Sequence, residues 1–150
     1  TGEQKYHDLF EKLGAQHAEK FRAHLTFDNT LAHQIEAGSD IFLMPSQYEP
    51  CGLNQLYSLK YGTVPLVRKT GGLADTIVNA TPTALGKGTA NGFSFQSDSP
   101  RALLATIRRA LKLYGNPPLW QRLCLAGMQQ DWSWDRSARA YLDVYHTVLG

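Results

Sequence analysis

Short apolar runs alternate with amphipathic stretches along the chain. Residues 3–20 predict a helix with Leu9, Phe10 and Leu13 toward one face. Residues 22–27 (RAHLTF) predict a strand. Asp28 is a natural N-cap for a helix over 29–37, where Leu31 and Ile35 are four apart and Gly38 is the stop. DIFLM at 40–44 is a nearly continuous apolar run, the pattern of a strand buried on both faces, and Pro45 ends it. A loop then leads to a helix over 52–61, with Leu53, Leu56 and Leu59 apolar and Gly62 after it. VPLVR at 64–68 predicts a second buried strand, KTGGL at 69–73 a loop, and residues near 74–78 a short helix or turn. Residues 80–91 are turn-rich and predict an exposed connection; GFSF at 92–95 predicts a short strand.

The last third is helical. Ser99-Pro100 pairs a capping hydroxyl with Pro at the first helical position, and Leu103, Leu104, Ile107, Leu111 and Tyr114 supply the apolar face up to Gly115. Asn116-Pro117 starts a helix to about 129. Ser133 caps a final one carrying Ala138, Tyr141, Leu142, Tyr145 and Leu149 at helical spacing. Short strands and helices in alternation imply an α/β fold: a Rossmann-like parallel sheet flanked by helices. In such sheets ligands sit beyond the carboxyl ends of the strands, which selects the loops 45–52 and 69–73.

Composition narrows the function. The 150 residues are 43% hydrophobic, enough for one domain with its own core, and a net charge of +2 gives no nucleic-acid footprint. Arg108, Arg109 and Lys112 fall late in a helix, where cations complement its dipole. No apolar run approaches the ~20 residues of a membrane span. The cysteines, Cys51 and Cys124, form no disulfide framework, which fits a reducing, cytoplasmic setting. The five histidines show no metal-ligand spacing, and no metal is expected. Trp120, Trp132 and Trp134 read as core or interface residues. The chain lacks an initiator Met, which hints at a piece of a longer protein.

The chemistry concentrates after the first buried strand. Glu49 follows that strand, and Cys51-Gly52 opens a helix whose free N–H groups carry partial positive charge. Without a Cβ, Gly52 lets a phosphate approach the backbone. One reading is a diphosphate on the N–H groups of Cys51, Gly52, Leu53 and Asn54, with Glu49 beside it accepting hydrogen bonds from sugar hydroxyls. The other is a solvated Glu49-Pro50 turn that Gly52 tightens. Cys51 has no local His partner, so it reads as a small packed residue rather than a nucleophile. Gly71-Gly72 indicates close backbone approach by something, or a plain structural turn.

The run PSQYEPCGLNQLYSLKYGTVPLVRKTGGLADT (45–76) closely resembles the signature of bacterial glycogen synthases and plant starch synthases. The likeness extends back through LAHQIEAGSDIFLMP and forward to GFSF and WSWDRSARAYLDVY. It implies the C-terminal, donor-holding domain of a GT-B fold, residues 1–150 being a partial domain that lacks its first strands. It also implies glucose transfer from ADP-glucose, or UDP-glucose, to the non-reducing end of an α-1,4-glucan with retention and no metal. The acceptor would be held through an N-terminal domain outside this chain, so the chain alone is expected to be inactive.

On that resemblance Glu49 matches the acidic residue at the donor sugar, and Cys51–Asn54 the backbone that binds the distal phosphate. Phe27 matches an aromatic position that stacks on adenine, often Tyr. Tyr57 stands eight residues after Glu49, where many other GT-B transferases carry a second Glu. The Arg/Lys pair that neutralises the diphosphate has no counterpart here, and KTGGL at 69–73 is not the acceptor domain's similar loop. The alternatives are a non-catalytic nucleotide or glucan module and a related GT-B transferase. The apolar face of the last helix is expected to be partly exposed and to favour self-association.

Overall fold

The computed structural model describes residues 3–150. It divides into two compact units, one ending at Ala32 and the other running from His33 to Gly150.

The N-terminal unit holds helix α1 (Gln4–Gln16) and the start of α2 (Asn29–Ala37). Among its described residues none is buried. Phe10 stacks on Phe21 with ring centroids 6.0 Å apart. The Asp28 carboxylate accepts from the Leu31 N–H at 2.9 Å, the cap expected of it. Residues 22–27 are not a strand. An extended segment is stabilised by the ladder of a neighbouring strand, and these residues have none; all six are exposed.

In the second unit β1 (Ile41–Met44), β2 (Val64–Arg68) and β3 (Phe93–Phe95) form a parallel sheet in the order β1-β2-β3. Ile41 pairs with Val64 and Leu66 with Phe93, so β2 is the middle strand. Its continuous apolar run follows from burial on both sides. Val64 and Leu66 join one cluster with Phe93, Phe95, Ala110, Trp120 and Leu123. Val67 joins another with Met44, Leu59, Leu73 and Ile77. Each fully buried Leu or Val contributes roughly 1.5–3 kcal/mol.

The first cluster is closed by α6 (Pro100–Tyr114) and α7 (Pro117–Met128). Their starts read as the sequence predicts: Ser99 accepts from Ala102 N and Asn116 from Leu119 N, each with Pro just inside. Trp120 stacks on Phe93 at 6.4 Å and meets Tyr114 edge-on at 5.1 Å, which makes it a core residue. The second cluster is covered by α3 (Asn54–Tyr61) and α4 (Gly71–Thr76). The buried Asn91 ties the connections together. Its Oδ1 accepts from Val78 N at 2.7 Å, and its Nδ2 donates to Thr76 O and Gln130 Oε1, both at 2.9 Å.

Two local expectations are revised. Residues 82–87, placed in an exposed turn, form helix α5 (Pro82–Lys87), capped by the Thr81 hydroxyl and ended by Gly88 at φ 69°. Helix α4 begins on Gly71 rather than near Ala74. Helix α8 (Trp134–Leu149) has no buried residue; Tyr141, Leu142, Tyr145 and Leu149 are exposed along it.

Candidate functional site

Because β1 and β2 are parallel, the loops that leave them open at the same end of the sheet. The two loops are packed backbone against backbone. The Gly72 N–H donates to Pro50 O at 3.2 Å. A Cβ on Gly71 would strike the Glu49 carbonyl, and one on Gly72 the Cys51 carbonyl. The Gly-Gly pair of the second loop is therefore explained by the first: glycine is required where the backbone of 49–51 lies on the start of α4. Gly71 also takes a positive φ of 42°.

Arg68, the last residue of β2, fixes the other end of the first loop. Its Nε donates to Ser46 O at 2.7 Å, and its guanidinium also donates to Gln47 O. This fork satisfies two carbonyls that leave the sheet after Met44. Ser46 in turn donates from its hydroxyl to Glu49 Oε2 at 3.4 Å. Glu49 is half-buried, with its carboxylate on this framework.

Past Glu49 the chain turns at Gly52, whose φ is 71°, and α3 starts at Asn54 with Leu53 as its N-cap. The helix thus opens two residues later than expected, and Cys51–Leu53 precede it. Among the described residues the N–H groups of 51 to 55 find no acceptor within the chain. They form a row of free donors at the positive end of α3. Cys51 is exposed rather than packed, and both cysteines are free. Gln55 is fully buried under the turn and donates to Cys51 O and Gly52 O.

Glu49, Cys51, Gly52 and Leu53 thus share one loop, and Asn54 opens the helix that follows it. Phe27 belongs to the N-terminal unit, where its ring is 97% exposed. Sequence reasoning missed the supports: Ser46, Gln55 and Arg68. Two of them left a signal in the sequence: Gln55 stands four residues before Leu59 on α3, and Arg68 closes an otherwise apolar strand. Among the described residues no three His, Cys, Asp or Glu side chains converge on a metal-sized site, and no helix is long and apolar enough to cross a membrane.

A second buried polar group lies on α2, whose His33 meets α3. Glu36, on α2, is 3% exposed. Its Oε2 lies 3.4 Å from His33 Nδ1, within ion-pair distance but without a hydrogen-bonded partner. Burial pushes its carboxyl above the usual carboxylate range, and His33 offsets part of the shift. His33 packs against Tyr57 and Tyr61, at 5.2 and 6.1 Å between ring centroids.

The architecture is that of an α/β domain with a parallel sheet, flanking helices and its open loops at the carboxyl ends of β1 and β2, the arrangement of a GT-B glycosyltransferase domain. Residues 1–123 match the family described as glycosyl transferases group 1, and the chain belongs to that family. It is 52% identical over 149 residues to a glycogen synthase of Thioalkalivibrio sulfidiphilus, covering 99% of this chain and 31% of the relative. Glycogen synthase 1 of Methylococcus capsulatus is 49% identical, with 99% and 30% covered. The chain thus spans just under a third of the length of these curated relatives. Among solved structures it superposes on the catalytic domain of starch synthase IV from Arabidopsis thaliana, bound to ADP and acarbose. The TM-score is 0.81 at 35% identity, covering 93% of this chain and 29% of that one. A sucrose-phosphate synthase from Thermosynechococcus elongatus, at 20% identity and TM-score 0.64, shares the fold.

Proposed function

We propose that this chain is the donor-binding, C-terminal part of a cytoplasmic glycogen or starch synthase. The enzyme would move glucose from ADP-glucose to the non-reducing end of an α-1,4-glucan with retention. The observation that carries the reading is the row of free N–H groups at 51–55 beside the half-buried carboxylate of Glu49. Relatives named glycogen synthase, about half identical over nearly the whole chain, and a starch synthase structure holding ADP support it.

In this reading the distal phosphate of the donor rests on the N–H groups of Cys51, Gly52, Leu53 and Asn54. As the bond from the sugar to the phosphate oxygen breaks, negative charge grows on that phosphate. Fixed N–H donors then bind the transition state more strongly than the ground state, which lowers the barrier. Glu49 accepts hydrogen bonds from sugar hydroxyls and stabilises positive charge at the reacting carbon, and Ser46 holds its orientation. The glucan arrives through an N-terminal domain, so these 150 residues alone bind donor weakly and transfer nothing.

Two measurements test this. Calorimetric titration with ADP, UDP and their glucose conjugates should show adenine nucleotides bound more tightly than uridine ones; a uridine preference would reassign the donor. In the full-length enzyme carrying these residues, Glu49→Ala should lower kcat by about 10²–10³-fold, the scale of one lost transition-state contact. A variant with nearly unchanged kcat would point to a non-catalytic binding module instead.

A further inference from the structure

Gln55 is 0% exposed, yet it lies one residue inside α3, at the edge of the loop rather than in the apolar core. Its Nε2 is 3.2 Å from Cys51 O and 3.0 Å from Gly52 O, and 3.4 Å from Thr76 Oγ1, whose hydroxyl donates to Gly72 O at 2.6 Å. The two protons of the carboxamide are thus spent on the loop carbonyls and on α4. Its Oε1 is buried and, among the described residues, has no partner.

We propose that Gln55 is a positioning residue for the diphosphate loop, setting the direction in which the N–H groups of Gly52 and Leu53 point. The proposal rests on the phosphate-binding reading of residues 51–54. The peptide unit is planar and trans, so the C=O of one residue and the N–H of the next point in opposite directions. Drawing the Cys51 carbonyl inward turns the Gly52 N–H outward, and drawing the Gly52 carbonyl inward does the same for Leu53. These are two of the N–H groups that have no acceptor within the chain.

Holding two successive carbonyls on one side requires an unusual backbone, and Gly52 supplies it with φ 71°, followed by Leu53 at φ −118°, ψ −31°. A positive-φ residue next to a right-handed helical one is the pattern that converges N–H groups into an anion-binding concavity. Gly52 and Gln55 are matched sterically as well: a Cβ at 52 would lie 2.5 Å from Gln55 Oε1. An apolar side chain of the same length would fill the space of Gln55 without burying an unpartnered oxygen. The donor protons are what the carboxamide adds.

The test compares ADP with AMP, since only ADP carries the distal phosphate. In the full-length enzyme carrying these residues, Gln55→Met keeps length and volume and removes both donors. Its ADP affinity should fall about tenfold, the size of one well-made hydrogen bond to a charged group, while AMP affinity stays within about twofold. Equal losses for both nucleotides would make Gln55 merely structural and overturn the proposal. If the parent enzyme itself did not prefer ADP to AMP, the phosphate-loop reading would fall first and this inference with it. Gln55→Glu gives a second readout should the Met variant not fold. Its buried carboxyl donates one proton when neutral and none when ionised. The ADP-to-AMP preference of that variant, relative to the parent, should therefore recover as pH falls from 8 to 5.5. A flat ratio would refute the positioning role.

Discussion

Replacing Gly72 by Ala puts one methyl group where two backbones touch. The added Cβ would overlap the Cys51 carbonyl and lie 2.8 Å from Cys51 Cα. Neither neighbour is the flexible end of a side chain, so the loop or the helix must move. Forced overpacking costs about 1–3 kcal/mol, and backbone on both sides argues for the upper part of that range. The shift also strains the hydrogen bond from Gly72 N–H to Pro50 O, worth about 1 kcal/mol. Against this, Ala gains roughly 0.4–1 kcal/mol over Gly through a less flexible unfolded chain. The net loss is about 2 kcal/mol, or roughly 4–8 °C in Tm for a chain of this size. Gly86 is the control, since it lies within α5, has ordinary φ, and has nothing within 4 Å of an added Cβ. There the same substitution should raise stability by roughly 0.5–1 kcal/mol. Thermal melts followed by circular dichroism on the two variants and the parent decide the matter. Gly72→Ala melting at or above the Gly86→Ala variant would refute the claim that the two loops are in backbone contact.

Glu36 and Asn91 give two further tests. The Glu36 carboxyl has a folded-state pKa above its unfolded one, so the folded state binds the proton more tightly. Its unfavourable effect is absent below the unfolded pKa and grows as pH rises through the raised folded value. Glu36→Gln should therefore raise Tm at pH 7–8 and change it little near pH 4; melts across that range showing the opposite trend would disprove the assignment. Asn91→Asp removes the donations to Thr76 O and Gln130 Oε1 and sets oxygen against oxygen in a buried site. Urea unfolding should show a loss of about 2–4 kcal/mol, and a loss under about 0.5 kcal/mol would mean that the network is not closed in solution.

Much of this architecture was legible because local signals and tertiary contacts agree. VPLVR reads as doubly buried and is, since Val64 and Leu66 face one cluster and Val67 the other. The Ser99-Pro100 start was read correctly, whereas Thr81-Pro82, the same signal, was submerged in a stretch rich in Gly and Thr. RAHLTF alternates as a strand should, but alternation supplies no hydrogen-bonding neighbour. The stretch with Glu49 and Cys51–Asn54 was singled out as a candidate by a rule about strand ends and by a glycine. Its supports were not, because they are distant in sequence: Arg68 reaches back 22 residues to Ser46, and Gln55 works with Thr76, 21 residues on. For Gly71-Gly72 the sequence left close approach and a plain turn both open, and the backbone of 49–51 decides for close approach.

The backbone contact between residues 49–51 and the start of α4 also limits how this region can be altered. Glu49 follows β1 along the chain, yet its loop takes its shape from the end of β2, through Arg68, and from the start of α4, through Gly72. An insertion at 46–50 would be felt at 68–72, and a bulkier residue at 71 or 72 would displace the carboxylate from a distance. Anyone grafting a different donor preference onto this scaffold would have to transplant both loops as one piece.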